Sequence, residues 1–321
     1  MIESRRVRII APAFSLPLIF RIFAAPTSLR TPALTIDRDM ALTISQHAGE
    51  FGAWRVARLA PPSSLAPFVG SLFAYEDHAT SFQRRRELPD GQATLIFNLG
   101  ADLGVELRPG AKSVFRAGQS FYSGAGEHFV VTETNGAQTG AQVMLTLLGA
   151  RQLAGVPLAE FGDAFVDPAD ALGIAASELS EQLAGANSPE ARLAMLRRAI
   201  EARLLRSRPL AAFLEHAFTR LNSGAVGIGT LAREIGISRK HLTTTFAREF
   251  GITPKMFARV RRFDRARRLR QREPGASAVD IALRCGFADQ AHMVRDFREF
   301  AGLPPDALRR RELPDSGGFL V

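Results

Sequence analysis

The chain has 321 residues, of which 46% are hydrophobic, so it is long enough to form two domains that each bury a core. Its single cysteine, Cys285, excludes an intramolecular disulfide and a metal site built from several thiolates. The net charge is +9, and residues 223–312 hold 19 Arg and Lys against 10 Asp and Glu. This local excess predicts a polyanionic partner for that part, with a general arginine bias as the alternative.

The first 39 residues have the outline of a signal peptide, a basic start followed by an apolar run. Pro12, Pro17 and Arg21 interrupt this run and leave it too short to span a membrane. Domain-like sequence begins at Met40, so we expect residues 1–39 to be a disordered leader or an over-extended translation start. The lone cysteine fits a reducing compartment, which predicts a cytoplasmic protein without a membrane partner.

Residues 40–205 are expected to form an N-terminal domain that begins with β-strands. The segments 93–100, 127–134 and 141–149 are rich in β-branched and aromatic residues and lie between turn signals, a pattern typical of an antiparallel sheet or barrel. The turn signal "LPDG" at 88–91 is interpreted as a plain hairpin turn rather than a ligand contact. Strand aromatics are expected in the core, with a ligand pocket as the alternative: Phe97, Phe115, Phe121, Tyr122 and Phe129.

After Gly149 the pattern becomes helical. Leu179 and Leu183 are four residues apart and are followed by Gly185, which is typical of a helix and its end. Ser188 before a proline predicts a second helix that the serine caps. The segment "SRPL" at 207–210 marks the expected domain boundary, and the sequence beyond it has a helical pattern.

One short pattern occurs twice in the basic part of the chain. "LAREIGISRKHLTTTFAREFG" begins at Leu231, and "IALRCGFADQAHMVRDFREFAG" begins at Ile281. Each copy predicts a helix, a tight turn at Gly236 or Gly286, and a second helix with a polar face, which is the helix-turn-helix signature. Cys285 lies on the apolar side of the second copy and is expected to be a core residue.

A long helix is predicted between the two copies. Its apolar stripe contains Met256, Val260, Phe263 and Ala266, and arginines occupy the other faces. The dipeptide at 274–275, Pro-Gly, is expected to end it. This helix would hold the two helix-turn-helix units at a fixed separation.

Residues 209–312 resemble the DNA-binding domain of the AraC/XylS family of transcription regulators. The resemblance rests on "LAREIGISRKHLTTTFAREFGITPKMFARVRRFDRAR" and on "VDIALRCGFADQAHMVRDFREFAGLPPDAL". It implies two domains: a β-rich (α+β) sensor-like domain over 40–205, then an all-α DNA-binding domain over 206–312 with two helix-turn-helix units joined by a linker helix. Residues 313–321 would be a tail. The segment from "LAPFVGSLFAYED" to "RELPDGQATLIFNLG" is similar to the sensor-like domain of one branch of the family.

The second helix of each unit is expected to enter the major groove, where polar side chains can read base edges. Arg295 is the first candidate for guanine, and Gln290 is the second candidate, for adenine. Asp289 is interpreted as a helix-start charge and not as a DNA contact. Together with phosphate contact by Arg262, the predicted DNA-binding residues are Arg239, Lys240, His241, Thr243, Thr244, Gln290, His292, Arg295 and Arg262.

Other arginines of the linker helix, Arg259, Arg261 and Arg265, are expected either to contact phosphate, to pair with Asp264, or to stay solvated. The first copy carries Thr244 where a basic residue is common in the family. We therefore expect the first unit to contribute more to positioning and the second unit more to base reading.

The predicted function is a sequence-specific transcription regulator that is not an enzyme and needs no cofactor or metal. The expected partners are double-stranded DNA, RNA polymerase, a small-molecule effector and a second copy of the chain. The resemblance favours an activator, although the sequence leaves activation and repression open. The alternatives are an enzyme with a DNA-binding appendage and a protein that binds DNA without sequence preference. His47, His78 and His128 form no H-x-H pair and are interpreted as ordinary histidines.

Overall fold

The computed structural model of the protein describes residues 42–49, 52–78, 83–108, 111–135, 137–162, 164–224, 226–313 and 318–321. The predicted leader, residues 1–39, lies outside these ranges. The described chain has a β-rich N-terminal part followed by a helical C-terminal part, which confirms the predicted fold class.

The strands form two sheets in which every named pair is antiparallel. Their bounds are β1 Leu42–Gly49, β2 Gly52–Leu59, β3 Val69–His78, β4 Gln83–Glu87, β5 Gln92–Asn98, β6 Leu103–Arg108, β7 Ala111–Phe115, β8 Ser120–Ser123, β9 Val130–Thr134, β10 Ala137–Thr146 and β11 Phe319–Leu320. One sheet has the order β1-β2-β3-β10-β5-β8 and the other β11-β4-β9-β6-β7. The prediction of antiparallel strands is confirmed.

The helices occupy most of the chain after β10. Their bounds are α1 Leu147–Ala154, α2 Pro168–Leu172, α3 Ala176–Ala184, α4 Pro189–Leu204, α5 Ala212–Ser223, α6 Ile228–Ile235, α7 Arg239–Phe250, α8 Pro254–Arg272, α9 Ala278–Arg284, α10 Gln290–Ala301 and α11 Pro305–Arg309, with a short 3-10 turn at Leu158–Phe161. The Ser188 hydroxyl accepts a hydrogen bond from the Ala191 N–H, so the predicted cap of α4 is confirmed.

The predicted strand 141–149 is too long at its C-terminal end. The strand stops at Thr146, whose hydroxyl accepts a hydrogen bond from the Gly149 N–H and begins α1. Gly149 lies against the backbone of Phe68, where a Cβ atom would come within 2.0 Å of the carbonyl oxygen. This close approach lets the chain turn directly from the sheet into a helix.

The segment at 88–91 is not a hairpin turn. It connects β4 to β5, and these strands belong to different sheets: β4 pairs with β9 and β11, while β5 pairs with β10 and β8. The local "LPDG" signal correctly marks a change of chain direction. Which strands then pair depends on partners more than 20 residues away, which a local turn signal does not encode.

The last residues were expected to be a tail on an all-α domain, and the structure corrects this. Phe319 pairs with Arg86 and Leu320 with Arg85, so β11 extends the second sheet of the N-terminal part. Phe319 is also buried in the core of the second helix-turn-helix unit, together with Phe263 and Phe297. The end of the chain therefore joins the two halves of the molecule.

Candidate nucleic-acid interface

The first helix-turn-helix unit consists of α6 and α7. Gly236 makes the turn with φ +77°, a conformation that favours glycine, and the Ser238 hydroxyl accepts a hydrogen bond from the His241 N–H. The buried face of α7 contains Leu242, Phe246 and Phe250. The predicted contact residues lie on the opposite side: Arg239, Lys240, His241 and Thr244 are exposed, and Thr243 is half-buried.

The second unit consists of α9 and α10 and repeats this geometry. Gly286 turns with φ +82°, and the Asp289 carboxylate accepts a hydrogen bond from the His292 N–H at 2.6 Å. Asp289 is thus the helix cap, as predicted. Of the predicted contact residues in this unit, Gln290 and Arg295 are exposed, while His292 is half-buried.

A buried carboxylate fixes the second unit to the linker helix α8. Asp296 is 2% exposed and accepts hydrogen bonds from Arg259 at 2.7 Å and from Arg262 at 3.1 Å. Hydrogen bonds from Arg259 to Glu299 and Asp296 raise the pKa of this guanidinium above its ordinary value. We call Asp296, Arg259 and Arg262 the Asp296 clamp. This clamp was not predicted from the sequence, although an acidic residue at 296, between Arg295 and Arg298 and after the arginine-rich α8, was the available signal.

The clamp changes the surroundings of two predicted contact residues. The Arg262 guanidinium lies 4.6 Å from the centre of the Phe287 ring, and one of its nitrogens is 3.1 Å from His292 Nε2. Arg262 and His292 therefore already contact each other, and Arg262 also contacts Asp296 and the Phe287 ring. Their role in DNA binding stays a prediction.

A second buried carboxylate organises the middle of α8. Asp264 is 1% exposed and accepts hydrogen bonds from Arg267 at 2.7 Å and Arg268 at 2.8 Å, and Arg261 lies 3.5 Å away. The structure thus places Arg261 with Asp264, as one of the sequence alternatives expected. Six of the nine Arg and Lys residues of α8 thus have a carboxylate partner recorded among the described residues.

Exposed cations of the basic region that form no recorded ion pair lie on α7 and α10, on α6 and α8, and in or just after α11. Within the part of the chain that the structure describes, these side chains have no recorded ion pair: Arg233, Arg239, Lys240, Lys255, Arg272, Arg295, Arg298, Arg309 and Arg310. They form the polar surface that is available to a polyanion.

The N-terminal part contains a cavity of about 390 Å³ between the two sheets. Strand alternation places Gln83, Arg85 and Glu87 of β4 along this cavity, and Trp54 and Phe73 come from the facing sheet. Among the aromatic residues predicted from the sequence, Phe97, Phe115 and Tyr122 are fully buried core residues. Phe121 lines the cavity, and Phe129 lies beneath the Arg86 guanidinium.

The segment 88–91 joins this cavity to the DNA-binding part. Leu88, Pro89 and Asp90 line the cavity, and the Asp90 carbonyl oxygen accepts a hydrogen bond of 2.6 Å from Arg261 on α8. Gly91 has φ +78° and packs against Phe257 and Arg261 of the same helix. A ligand contact at this segment, the less favoured of the two interpretations of its sequence, stays a prediction.

The described residues contain no group of three or more His, Cys, Asp and Glu side chains that could hold a metal ion. Their helices also include none that is long and apolar enough to cross a membrane. Cys285 is buried at the end of α9, and burial raises the pKa of its thiol, as expected for a core cysteine.

Two family models match separate parts of the chain. Residues 231–311 match the family model described as a helix-turn-helix domain. Residues 57–167 match the model described as a domain of unknown function (DUF6597). The HTH-type transcriptional regulator Rv1931c of Mycobacterium tuberculosis is 37% identical over 87 residues, and the HTH-type transcriptional activator RhaS of Escherichia coli O139:H28 is 33% identical over 128 residues.

These matches cover 27% and 36% of this chain, and 33% and 44% of the two relatives. The chain thus spans less than half the length of the curated relatives it matches. Among solved structures, an AraC-type regulator from Chromobacterium violaceum is 26% identical, with a TM-score of 0.29, over 31% of this chain and 90% of that chain. ToxT from Vibrio cholerae O395 is 10% identical, with a TM-score of 0.41, over 74% and 98%.

The C-terminal part of the chain is therefore a helix-turn-helix domain. The match to the helix-turn-helix model and the similarity to two HTH-type transcription regulators confirm the resemblance predicted from the repeated sequence.

Proposed function

We propose that the protein is a transcription regulator that binds a specific site in double-stranded DNA through α7 and α10. The observation that carries this proposal is the repeated geometry of the two units. Each recognition helix is capped at its N-terminus and exposes polar side chains near that end. α8 joins the two units, and its arginines are held by buried carboxylates, which favours a fixed separation.

A recognition helix fits the major groove of B-DNA, and its first turns reach the base edges. Arg295 supplies a guanidinium suited to guanine, and Gln290 supplies an amide suited to adenine. Thr244 offers a methyl group to thymine, and Arg239 and Lys240 contact phosphates. Two units on one helix are expected to meet successive major-groove segments about 34 Å apart along the duplex.

The N-terminal part is proposed to receive a small-molecule effector in its cavity. The contact between Asp90 in the cavity wall and Arg261 on α8 supports this role, because a ligand there lies next to the helix that spaces the two units. Exposed Leu42 and Ile44 on the edge strand β1 support a second copy as a partner. RNA polymerase stays a predicted partner of the DNA-bound regulator.

The test is to capture genomic fragments with the purified full-length chain, sequence them, and find a shared site. Affinity for that site is then compared with affinity for a random duplex of equal length at one fixed salt concentration. We expect the captured site to bind at least about 10³-fold more tightly. A ratio close to one would instead support the alternative of DNA binding without sequence preference.

A further inference from the structure

The cavity wall carries more carboxyl groups than cationic side chains. Five acidic residues belong to the wall, and two of these are neutralised by cations: Glu76 pairs with Arg192 at 2.9 Å, and Glu133 pairs with Arg84 at 2.8 Å and with Lys112. The other three are Asp77, Glu87 and Asp90. Arg85 is the single Arg or Lys side chain among the described residues that line the cavity.

Arg85 already forms an ion pair, hydrogen bonds and an aromatic contact with other residues of the wall. Its guanidinium lies 2.5 Å from Asp77 Oδ2, donates two hydrogen bonds to Gln83, and stacks 5.7 Å from the centre of the Trp54 ring. No ion pair of Arg85 with either of the other two carboxyl groups is recorded, and Asp90 has two arginines of α8 beside it, Arg261 and Arg268. Asp90 is 3.9 Å from Arg268, at the limit of an ion pair, and Glu87 has no ion pair recorded with a described residue.

Glu87 is the more accessible of these two carboxyl groups. Its side chain has exposed surface at the cavity wall, and its recorded hydrogen bond comes from the Thr132 hydroxyl at 3.2 Å. Burial within the protein nevertheless raises the pKa of Glu87. Burial and the nearby Asp264 carboxylate likewise raise the pKa of Asp90. Both groups would be stabilised as anions by a positive charge placed in the cavity.

Unpaired acceptors in the wall add to this negative field. Gln92 Nε2 donates to Asp90 and Gln138 Nε2 donates to the Ala101 carbonyl, so the orientation of each amide is fixed by its donors. The opposite oxygens, Gln92 Oε1 and Gln138 Oε1, are buried and have no hydrogen-bond partner among the described residues, and the same holds for Asp77 Oδ1. Gln92, Gln138 and Asp77 all line the cavity, and each of these oxygens carries negative partial charge.

The rest of the wall is apolar and aromatic. Trp54, Phe73, Phe121 and Phe165 contribute rings, and Ile96 lies among them. Aromatic faces bind both hydrocarbon and cations. A carboxylate ligand, in contrast, would have to enter beside Asp77, Glu87 and Asp90 with no free guanidinium to receive it, which is electrostatically costly in a desolvated site.

We propose that the cavity binds a hydrophobic organic cation, a protonated amine on an apolar or aromatic body, with its ammonium group against Glu87. This inference rests on the proposed effector role of the cavity and specifies the chemical class of the effector. The volume of about 390 Å³ admits a small organic molecule of this kind.

Three probes with one apolar body test the charge preference: 1-naphthylmethylamine, 1-naphthylmethanol and 1-naphthoate. Binding to the full-length chain is measured by calorimetry at pH 7. We expect the amine to bind at least tenfold more tightly than the alcohol, and the carboxylate to bind more weakly than both. Carboxylate binding equal to or tighter than that of the amine, or no binding of the amine, overturns the proposal.

Glu87→Gln is the informative variant because it keeps the shape of the side chain and removes the charge. We expect about a tenfold loss of amine affinity with unchanged alcohol affinity. Glu178→Gln, on the exposed face of α3 and away from the cavity, is the control and should leave both affinities unchanged. An equal loss for both probes in Glu87→Gln would mean that the cavity was damaged and would contradict the charge contact.

Affinity for the captured DNA site is measured on the same protein samples without ligand. If DNA affinity is normal and the amine does not bind, the ligand proposal fails while DNA binding stands. If specific DNA binding is absent, the proposed regulator function fails whatever the cavity binds.

Discussion

The two helix-turn-helix units share a sequence pattern but are attached to the protein in different ways. Phe246 and Phe250 of the first unit belong to the large core that also contains the strands of the N-terminal part. Phe297 and Phe300 of the second unit belong to a separate core, closed by Phe319 from the end of the chain. The first unit therefore shares a core with the N-terminal part, whereas the second unit packs in a separate core with α8 and β11.

Buried carboxylates reinforce this difference. In the first unit, Glu249 at the end of α7 receives a hydrogen bond of 2.7 Å from Arg151 on α1. In the second unit, Asp296 in the middle of α10 binds two arginines of α8. When Phe246 is aligned with Phe297, Asp296 corresponds to Thr245, which cannot form such a clamp. The two copies therefore share the helix-turn-helix geometry, while each is anchored to the rest of the protein through its own residues.

The largest effect is expected from Asp296→Ala. This change leaves Arg259 and Arg262 without their shared buried partner, and we expect the free energy of unfolding to fall by about 3 kcal/mol. Chemical denaturation of the full-length chain measures it. Glu299→Ala is the matched control, because it removes the other, more exposed partner of Arg259 and should cost less than about 1 kcal/mol. Equal losses in the two variants would contradict the clamp as the main anchor.

The anchor of the first unit is tested by Glu249→Gln, with an expected loss of about 2 kcal/mol at pH 7 because charged hydrogen bonds from Arg151 and Arg248 weaken. Burial alone would raise the pKa of Glu249, but these hydrogen bonds lower it overall. A lowered pKa in the folded state stabilises the protein above the unfolded pKa of about 4.3, and this stabilisation is lost as the pH falls through the folded value.

The pH dependence of unfolding separates this anchor from ordinary packing. Between pH 7 and pH 3 the unmodified protein should lose more stability than the Glu249→Gln variant, since the variant has no carboxylate to protonate at this position. Glu178→Gln serves as the control for removal of one exposed carboxylate from α3. Parallel pH profiles for the unmodified protein and Glu249→Gln would show that the carboxylate does not contribute in this way.

DNA binding tests whether the exposed faces of α7 and α10 differ in base reading. Arg295→Ala should weaken binding to the captured site by about 2 kcal/mol, because a bidentate contact to guanine is lost, and should change binding to a random duplex far less. Thr244→Ala removes the aligned residue of the first unit and should cost less on the captured site. Fluorescence anisotropy at one salt concentration measures the affinities of the unmodified protein and of both variants for the captured site and for the random duplex. Equal losses for Arg295→Ala on both duplexes would contradict base reading.

Local features were predictable from the sequence because their causes lie within a few residues. Ser188, Ser238 and Asp289 cap helices through their own next turn, and Gly236 and Gly286 adopt a positive φ that few other residues tolerate. The repeated pattern of these signals was sufficient to identify both units. Their neighbours in space were not needed.

Long-range partners were missed for the opposite reason. The pairing of Phe319 with Arg86 joins residues more than 230 positions apart, and nothing near either residue signals it. The role of 88–91 in connecting the sheets and contacting α8 likewise depends on distant strands and on Arg261. Asp296 is an acidic residue in a basic region of the sequence, but its partners on α8 became evident only with the packed helices.

The smallest expected effect belongs to Lys240, exposed in the first turn of α7. Lys240→Ala should weaken the captured site and a random duplex by the same factor, because a phosphate contact carries no sequence information. It should also reduce the slope of log affinity against log salt by about 1, the release of roughly one counterion. Lys112→Ala, which removes a lysine paired with Glu133 in the N-terminal part, should leave the slope unchanged. If Lys240→Ala instead reduced affinity for the captured site alone, the first unit would read bases as well, and the division of labour between the two units would be wrong.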